Sequence, residues 1–237
     1  RQMWEPLGGN TVHVGCLSFV EVLRPAALGA HRLFGRLRET AAERAARRIA
    51  LAVDAPVGRA LRTPRRFPGT TSEPLTPAAL VAHLPEVTAG LALRPAYDEG
   101  YLGWLFAEVG RVAEGPPVAG RVERGPLWAE LVRRDGRVAG WYVGNLRRGG
   151  ACRVLQLAAR PRDTAAVLEQ LVERAREEGA AAVYGRLEPR LVGPLSERRA
   201  LLRFGDGRML VHSHRAAIVD AILRGDALLT RLDGEWW

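Results

Sequence analysis

Two stretches of the chain alternate apolar and polar residues in the manner of paired β-strands. Residues 127–133 and 138–146 carry this alternation, and Asp135-Gly136 lies between them. Because Asp-Gly favours a turn in which both residues have positive φ, the pattern predicts a hairpin. Gly149-Gly150 then turns the chain into an apolar run that begins at Cys152. We therefore expect a meander of three antiparallel strands.

Helical patterns lie on both sides of this meander. Between Pro95 and Ala113, apolar and aromatic side chains recur every three or four residues, which predicts an amphipathic helix. The apolar spacing after the meander predicts further elements: helices over 164–178, 190–202 and 215–224, and strands over 209–212 and 227–237. This mixture of strands and helices predicts an α/β or α+β domain.

A second pattern links the two cysteines of the chain. Cys16 and Cys152 each open an apolar, strand-like run, and the runs close at the same spacing on Arg24-Pro25 and Arg160-Pro161. An amphipathic helix follows in both copies. Each helix leads into a short apolar strand, Ile49–Val53 in the first copy and Ala182–Leu187 in the second. We interpret these stretches as two copies of one strand–helix–strand unit.

This repeat predicts the domain organisation. Residues 1–62 are interpreted as the back half of a first copy, and 91–237 as a complete second copy. The segment 63–90 between them is rich in proline and is predicted to be a linker with one short helix, Pro77–His83. Because the chain starts at Arg1 rather than methionine, the front strands of the first copy are expected to precede it.

Composition narrows the class of protein. The chain has 237 residues, of which 47% are hydrophobic and 26% charged, which excludes a disordered or fibrous protein. No apolar run approaches the roughly 20 residues of a membrane-spanning helix, and the N-terminus does not resemble a secretory signal. Two cysteines cannot form a disulfide framework and suit a reducing compartment. We therefore expect a cytoplasmic protein.

The charge is strongly positive but gives little evidence for nucleic-acid binding. The formal net charge is +9, and every basic residue is arginine. Such a bias, with abundant alanine, leucine and glycine, is typical of a GC-rich bacterial coding sequence. The excess lies mainly in residues 1–70, where the arginines are not interleaved with the aromatic residues that single-strand binders use. This pattern argues against nucleic acid as a partner.

The order of helix, meander, long helix, strand and helix over about 91–237, with its strand–Arg-Pro–helix junction, resembles the GNAT superfamily of acyl-CoA N-acyltransferases. The resemblance implies a mixed central sheet flanked by helices, in two tandem copies of which the first is incomplete. It also implies transfer of an acetyl or acyl group from acyl-CoA to an amine acceptor, a small molecule or a peptide, in a monomer or a homo-oligomer. The alternative is a non-catalytic, degenerate GNAT-like interaction module.

In that family the coenzyme pyrophosphate binds at the turn between strand and helix, where backbone N–H groups and the helix dipole favour an anion. The family loop, Q/R-x-x-G-x-G/A, matches the first copy loosely. The resemblance therefore assigns acetyl-CoA to six residues there: Val22, Arg24, Leu28, Gly29, Ala30 and His31. The corresponding turn of the second copy has no glycine and contains Asp163. Its candidate contacts are Arg160, Thr164 and Ala165.

The same resemblance implies a base that accepts the ammonium proton and an acid that protonates the leaving thiolate. Glu130 lies in mid-strand between apolar neighbours and is the candidate base, although strand alternation alone turns its side chain to solvent. The family often places the acid, a tyrosine, on the helix predicted over 190–202, where Ser196 is the only hydroxyl. Tyr184, on the preceding strand, is the other candidate acid, or alternatively a core tyrosine.

Other reactive residues have structural explanations. His212 and His214 share one face of a strand, but no Cys, Asp or Glu at ligand spacing completes a set, so we predict no metal site. The two cysteines lie in apolar strands without a nearby histidine and are interpreted as structural. Trp236 and Trp237 are expected to seal a core edge or a partner interface, with Asp233 and Glu235 beside them.

Overall fold

The computed structural model describes residues 8–12, 16–34, 49–50, 52–54, 65, 67–114, 125–146, 150–204 and 209–232. The strands are β1 (Asn10–Val12), β2 (Leu17–Val22), β3 (Thr70–Pro74), β4 (Leu127–Arg134), β5 (Arg137–Leu146), β6 (Ala151–Ala159), β7 (Ala182–Arg186), β8 (Leu201–Phe204) and β9 (Met209–Val211). The helices are α1 (Pro25–Phe34), α2 (Pro77–Val87), α3 (Glu99–Glu114), α4 (Thr164–Glu177), α5 (Val192–Glu197, after a 3₁₀ turn at Pro189–Leu191) and α6 (Ala216–Leu223).

Seven strands form one mixed sheet in the order β3-β4-β5-β6-β7-β2-β8. Neighbours pair antiparallel except β6 and β7, which are parallel and are connected through α4. Strands β1 and β9 pair in a separate two-stranded sheet. The predicted mixed sheet flanked by helices is confirmed.

The predicted meander is present, and its first turn explains why. Asp135 and Gly136 have φ of 50° and 77°, the left-handed values that a tight hairpin turn of this type requires. β4 and β5 pair on either side of this turn, and β6 continues the sheet. The alternation over 127–133 and 138–146 was therefore a reliable signal, because turn chemistry and strand pattern agree.

Helices cover both faces of the sheet. On one face, α4 buries Val167, Leu168 and Leu171 against residues of the central strands, including Tyr142 and Leu157. On the other face, α2 and α3 bury Leu80, Leu84, Leu102 and Leu105 around Trp141. Within the described ranges, no helix is both long enough and apolar enough to cross a membrane.

The sheet takes strands from all three predicted segments. β2, from 1–62, lies between β7 and β8, and β3, from 63–90, pairs with β4 at the opposite edge. The segment predicted as a linker thus contains a strand and a helix, α2, that is longer than the predicted Pro77–His83 and packs in the core. The division into two tandem copies stays a prediction.

Three predicted elements need correction. Residues 49–50 and 52–54 are helical rather than a strand, because their alanine-rich sequence also suits a helix. The helix predicted over 190–202 ends at Glu197, since Arg199 takes a positive φ of 56° and the chain then forms β8 beside β2. In the tail, Ala227 makes one isolated bridge to Leu93, and 228–232 form no strand.

A buried ion cluster holds β2 against the helices. Arg198, which follows α5, binds both carboxylate oxygens of Glu21 on β2, over 2.6 and 2.8 Å, and also pairs with Glu169 on α4. All three side chains are about nine-tenths buried. Burial raises the pKa of Glu169, and the charge of Arg198 counteracts this effect. The positive charge of Arg198 therefore stabilises the two buried carboxylates of Glu21 and Glu169.

Candidate functional site

Strands β6 and β7 run side by side for three residues and then separate. Their parallel pairing joins Ala151–Arg153 to Ala182–Tyr184, and both strands continue beyond it. Just past this pairing, the β5–β6 register shifts between Val143 and Gly144, which marks a bulge. A bulge bends its strand, and beyond Arg153 and Tyr184 the two strands no longer pair. We call the space between the remaining residues of β6 and β7 the wedge.

The protein's own chain occupies the β6 side of the wedge. The backbone N–H of Arg231 donates to the Leu155 carbonyl over 2.8 Å, and the Thr230 hydroxyl donates to the same oxygen over 3.3 Å. The guanidinium of Arg190 donates to the Leu157 carbonyl over 2.9 Å. A cavity of about 10 Å³ is left, which is room for roughly one water molecule. In this conformation the wedge is closed to a ligand of coenzyme size.

A carboxylate occupies the first predicted coenzyme turn, at the start of α1. Asp54 accepts hydrogen bonds from the N–H groups of Ala26 and Ala27, over 2.8 and 2.7 Å. These N–H groups are the donors that a phosphate would use at this helix end, and the buried Asp54 adds a negative charge beside them. The geometry therefore opposes a pyrophosphate at α1.

The other residues predicted for this turn lie on β2 and α1. Val22 pairs with Ala182 in the sheet, and the Arg24 guanidinium donates to the Arg176 carbonyl over 3.0 Å. Leu28 is buried in a small core cluster, while Gly29 and Ala30 are half-buried on α1. His31 belongs to α1, but its side chain lies outside the described part of the structure. Binding of acetyl-CoA by these six residues stays a prediction.

The contacts of Asp54 give a stability prediction. Asp54→Ala removes the acceptor for two N–H groups at the start of α1, so we expect the free energy of unfolding to fall by about 1–2 kcal/mol. Asp54→Asn keeps one acceptor oxygen and should lose less. Urea-induced unfolding of the three proteins measures both effects. An Asp54→Ala variant as stable as the wild type would show that Asp54 does not cap α1.

The second predicted turn, at the start of α4, differs from the first. Asp163 occupies the N-cap position but makes no capping hydrogen bond, and its carboxylate pairs instead with Arg134 over 3.1 Å. The Thr164 hydroxyl donates to the Arg160 carbonyl over 3.2 Å. Arg134 lies beside this helix end, whereas the Arg160 side chain donates to the Val138 carbonyl over 2.8 Å and pairs with Glu86 on α2. The turn thus combines a helix N-terminus without a side-chain cap with a carboxylate, Asp163, whose charge Arg134 compensates.

The three candidate catalytic residues do not form one site. Tyr184 lies on β7, half-buried beside the α1 cluster, and pairs with Arg153 and Val20 in the sheet. Ser196 is exposed on α5. Glu130 lies on β4, three strands away from β7. Their roles in catalysis stay predictions, and no shared centre supports assigning them to the same step.

The expectation that Glu130 faces solvent is wrong. Its carboxylate is nine-tenths buried and accepts hydrogen bonds from the Tyr142 hydroxyl over 2.5 Å and the Trp128 indole over 3.0 Å. Arg174 of α4 pairs with the same carboxylate over 3.2 Å. The rings of Trp128 and Tyr142 also contact each other, with centroids 4.8 Å apart. Two neighbouring strands and a helix therefore hold this carboxylate in one position.

These contacts determine the protonation states of Glu130 and Tyr142. Burial acts to raise the pKa of Glu130, but hydrogen bonds from Tyr142, Ser72 and Trp128, with the Arg174 charge, bring this pKa below its ordinary value. Burial and the neighbouring carboxylate raise the pKa of Tyr142. Near neutral pH, Glu130 is thus an anion and Tyr142 a neutral hydrogen-bond donor.

The remaining candidates add no reactive centre. Burial raises the pKa of the Cys152 thiol to about 12, which makes it a poor nucleophile. Cys16 accepts a hydrogen bond from the Met209 N–H over 3.4 Å. The rings of His212 and His214 contact each other at 5.4 Å. In the part of the chain that the structure describes, no three His, Cys, Asp or Glu side chains are placed to hold a metal ion. The residues 233–237 lie outside the described part.

Neither a protein-family model nor a curated protein matches the sequence. Solved structures do resemble it. The ribosomal-protein-S18-alanine N-acetyltransferase of Escherichia coli is 13% identical (TM-score 0.35; 54% of this chain, 72% of that chain). The glucosamine-6-phosphate N-acetyltransferase of Arabidopsis thaliana is 9% identical, with a TM-score of 0.40, and the match covers 62% of this chain and 99% of that chain. A GCN5-related N-acetyltransferase of Sphaerobacter thermophilus is 12% identical, with a TM-score of 0.39, and the match covers 63% of this chain and 46% of that chain. All three neighbours are N-acetyltransferases. At these identities the similarity concerns the fold and transfers no residue roles.

Proposed function

We propose that the protein is an N-acyltransferase that uses acetyl-CoA or another acyl-CoA and an amine acceptor, either a small molecule or a peptide. One observation carries this function: α4, which connects the separating strands β6 and β7, starts without a side-chain cap, beside Arg134 and the exposed Arg162. A helix start of this kind favours a phosphate-bearing ligand. The start of α4 follows the end of β6, the strand that borders the wedge.

The residues around α4 fit a pyrophosphate better than those around α1 do. Arg162 is exposed in the turn, and Ala165 is a small, half-exposed residue of the first helical turn. The charge of Asp163 is compensated by Arg134, whereas Asp54 occupies the N–H groups of α1. We therefore place the proposed coenzyme contacts at Arg160, Thr164 and Ala165 rather than on α1.

The chemistry requires two proton transfers. The amine attacks the thioester carbonyl, a C–N bond forms and the C–S bond breaks, the ammonium loses a proton and the thiolate gains one. Glu130 is the proposed base because its carboxylate is ionised. In the sheet, Glu130 lies opposite Tyr142, and Tyr142 lies opposite Leu157. These three residues form one row across the sheet, and Leu157 borders the wedge. Tyr184 and Ser196 are the two candidates for the acid.

A second candidate function is a non-catalytic interaction module. It is favoured by the hydrogen bonds that Arg190, Thr230 and Arg231 make to the β6 carbonyls, because they close the wedge with the protein's own chain. If acyl-CoA binds, these contacts must open. In the non-catalytic protein they are permanent.

Calorimetric titration of acetyl-CoA into the chain, at low and at physiological salt, separates the two. For an acyltransferase we expect saturable one-to-one binding that survives physiological salt. Ala165→Glu adds a negative charge at the start of α4 and should weaken binding about tenfold or more. Gly29→Glu makes the same kind of change on α1, where an added Cβ meets no neighbour within 4 Å, and should leave affinity unchanged.

Each other outcome has a distinct meaning. Loss of binding only in Gly29→Glu would return the coenzyme to α1. An absence of heat at either salt concentration would contradict acyl transfer and favour the non-catalytic module. Where acetyl-CoA binds, thiol release with a panel of amines then tests the reaction itself.

A further inference from the structure

A cavity of about 440 Å³ lies on the α4 side of the sheet, beside the beginning of β4. Its volume falls within the range of roughly 300–1,000 Å³ that is usual for small-molecule sites. Its walls are apolar and include Pro74, Leu127 and Leu146. Of the described residues, Glu130, Arg174 and Glu178 form its polar lining, and Trp128 also borders it. The cavity is far larger than the space left in the wedge.

Among the described residues around this cavity, carboxylates outnumber cations. Arg174 pairs with Glu130 over 3.2 Å, with Glu178 over 3.1 Å and with Glu177 over 3.5 Å. In the described part of the chain, Arg174 is thus shared among these three carboxylates. Glu130 is buried, while Arg174 is more than two-fifths exposed. An anionic ligand would meet a carboxylate excess here, whereas a cationic ligand would be attracted.

The position of Arg174 suggests how such a ligand could enter. Its bond to Glu130 uses the same carboxylate oxygen that accepts the Trp128 N–H. If Arg174 moves away, Glu177 and Glu178, at the C-terminal end of its own helix, can still hold it. Glu130 keeps the hydrogen bonds from Tyr142 and Trp128 and so stays in place. An incoming cation therefore replaces Arg174 without leaving a buried charge unpaired.

We propose that this cavity binds the ammonium group of an organic amine, with the charged group on Glu130 in place of Arg174 and the apolar part of the amine against Pro74, Leu127 and Leu146. Trp128 adds an aromatic surface of the type that favours organic cations. The identity of this amine as the acyl acceptor rests on the proposed function, but its binding does not. The site thus names a substrate class: amines with an apolar body.

Binding can be measured without any acyl-CoA. Calorimetric titration of 2-phenylethylammonium into the full chain, with 2-phenylethanol as the neutral probe and 3-phenylpropanoate as the anionic probe, tests charge preference directly. We expect saturable binding of the cation alone. Glu130→Gln should weaken it about tenfold or more, because a charged hydrogen bond is lost. Arg174→Met removes the internal competitor and should tighten binding about three- to fivefold.

The controls separate binding from folding. Glu73→Gln, on β3, removes an exposed carboxylate that pairs with Arg133 outside the cavity and should leave affinity unchanged. Tighter binding by Arg174→Met cannot come from a misfolded protein, so this variant tests the site even if Glu130→Gln unfolds. Equal binding of the neutral probe, or anion binding that Arg174→Met abolishes, would overturn the proposal. Because no coenzyme is present, neither result bears on acetyl-CoA binding at α4.

Discussion

Replacing Arg198 by methionine should lower the free energy of unfolding by about 3–5 kcal/mol at pH 7. The substitution leaves Glu21 and Glu169, both about nine-tenths buried, without their shared cation. It also releases β2 from its ion-pair link to α4 and to the segment after α5. Urea-induced unfolding measures the loss. Arg111→Met, which removes an exposed pair with Glu108 on α3, is the matched control and should change stability little.

The loss of unfolding free energy in Arg198→Met should become smaller as pH falls. Burial already raises the pKa of Glu169, and loss of the Arg198 charge should raise it further. The folded variant then holds a proton that the unfolded chain releases, so folding becomes more favourable as pH falls. We expect the difference from the wild type to be smaller at pH 5 than at pH 7. An equal difference at both pH values would contradict a charge effect and point to lost packing.

Gly140→Ala should destabilise the protein by about 3 kcal/mol or more. A Cβ at Gly140 on β5 would lie 2.1 Å from the Ala158 carbonyl oxygen and 2.7 Å from the Ala159 Cα, both in the backbone of β6. No side-chain rotation relieves such contacts, so the two central strands must move apart. Thermal and urea-induced unfolding measure the effect.

A glycine-to-alanine substitution at Gly103 should instead stabilise the protein. Gly103 lies within α3, where an added Cβ meets nothing within 4 Å, and alanine favours helix by up to about 1 kcal/mol over glycine. Gly103→Ala is therefore expected to raise the unfolding midpoint. If both variants were equally stable, the close approach of β5 to β6 at Gly140 would be wrong.

The sequence predicted local structure well where two independent signals agreed. The Asp135-Gly136 turn and the alternation on either side located β4 and β5, and helical spacing located α3 and α4. Where the only signal was a short apolar run, prediction was weaker. Ile49–Val53 could be a strand or a helix, because alanine-rich segments satisfy both patterns.

The environment of Glu130 could not be predicted from spacing. A two-residue turn at Asp135-Gly136 by itself places Glu130 opposite Trp141. The register shift between Val132 and Arg133 moves the pairing by one residue, so Glu130 lies opposite Tyr142 instead. The bulge depends on backbone packing that no local motif indicates. A signal was present only in part, since Trp128 and Glu130 occupy alternate positions and share one face.

The candidate coenzyme turns show a similar limit. The strand–Arg-Pro–helix units were recognised, and both exist, but the sequence did not show that a carboxylate binds the N–H groups at the start of α1. Asp54, which caps α1, is 28 residues away from Ala26 in sequence, so no local pattern connects the two. The position of β2 is likewise non-local, because sequence patterns do not tell which strands pair across a long separation.

The place of β2 in the sheet has a consequence for synthesis on the ribosome. Val22 pairs with Ala182, and Leu17 pairs with Phe204, so both neighbours of β2 are made long after it. At roughly 5–20 residues per second, β2 waits about 10–30 s before its first partner is translated. During that interval Phe19 and Val20, which end fully buried, have no sheet to join. The yield of folded protein should therefore depend on factors that shield nascent chains, and on the speed of translation, more than on the final stability of the sheet.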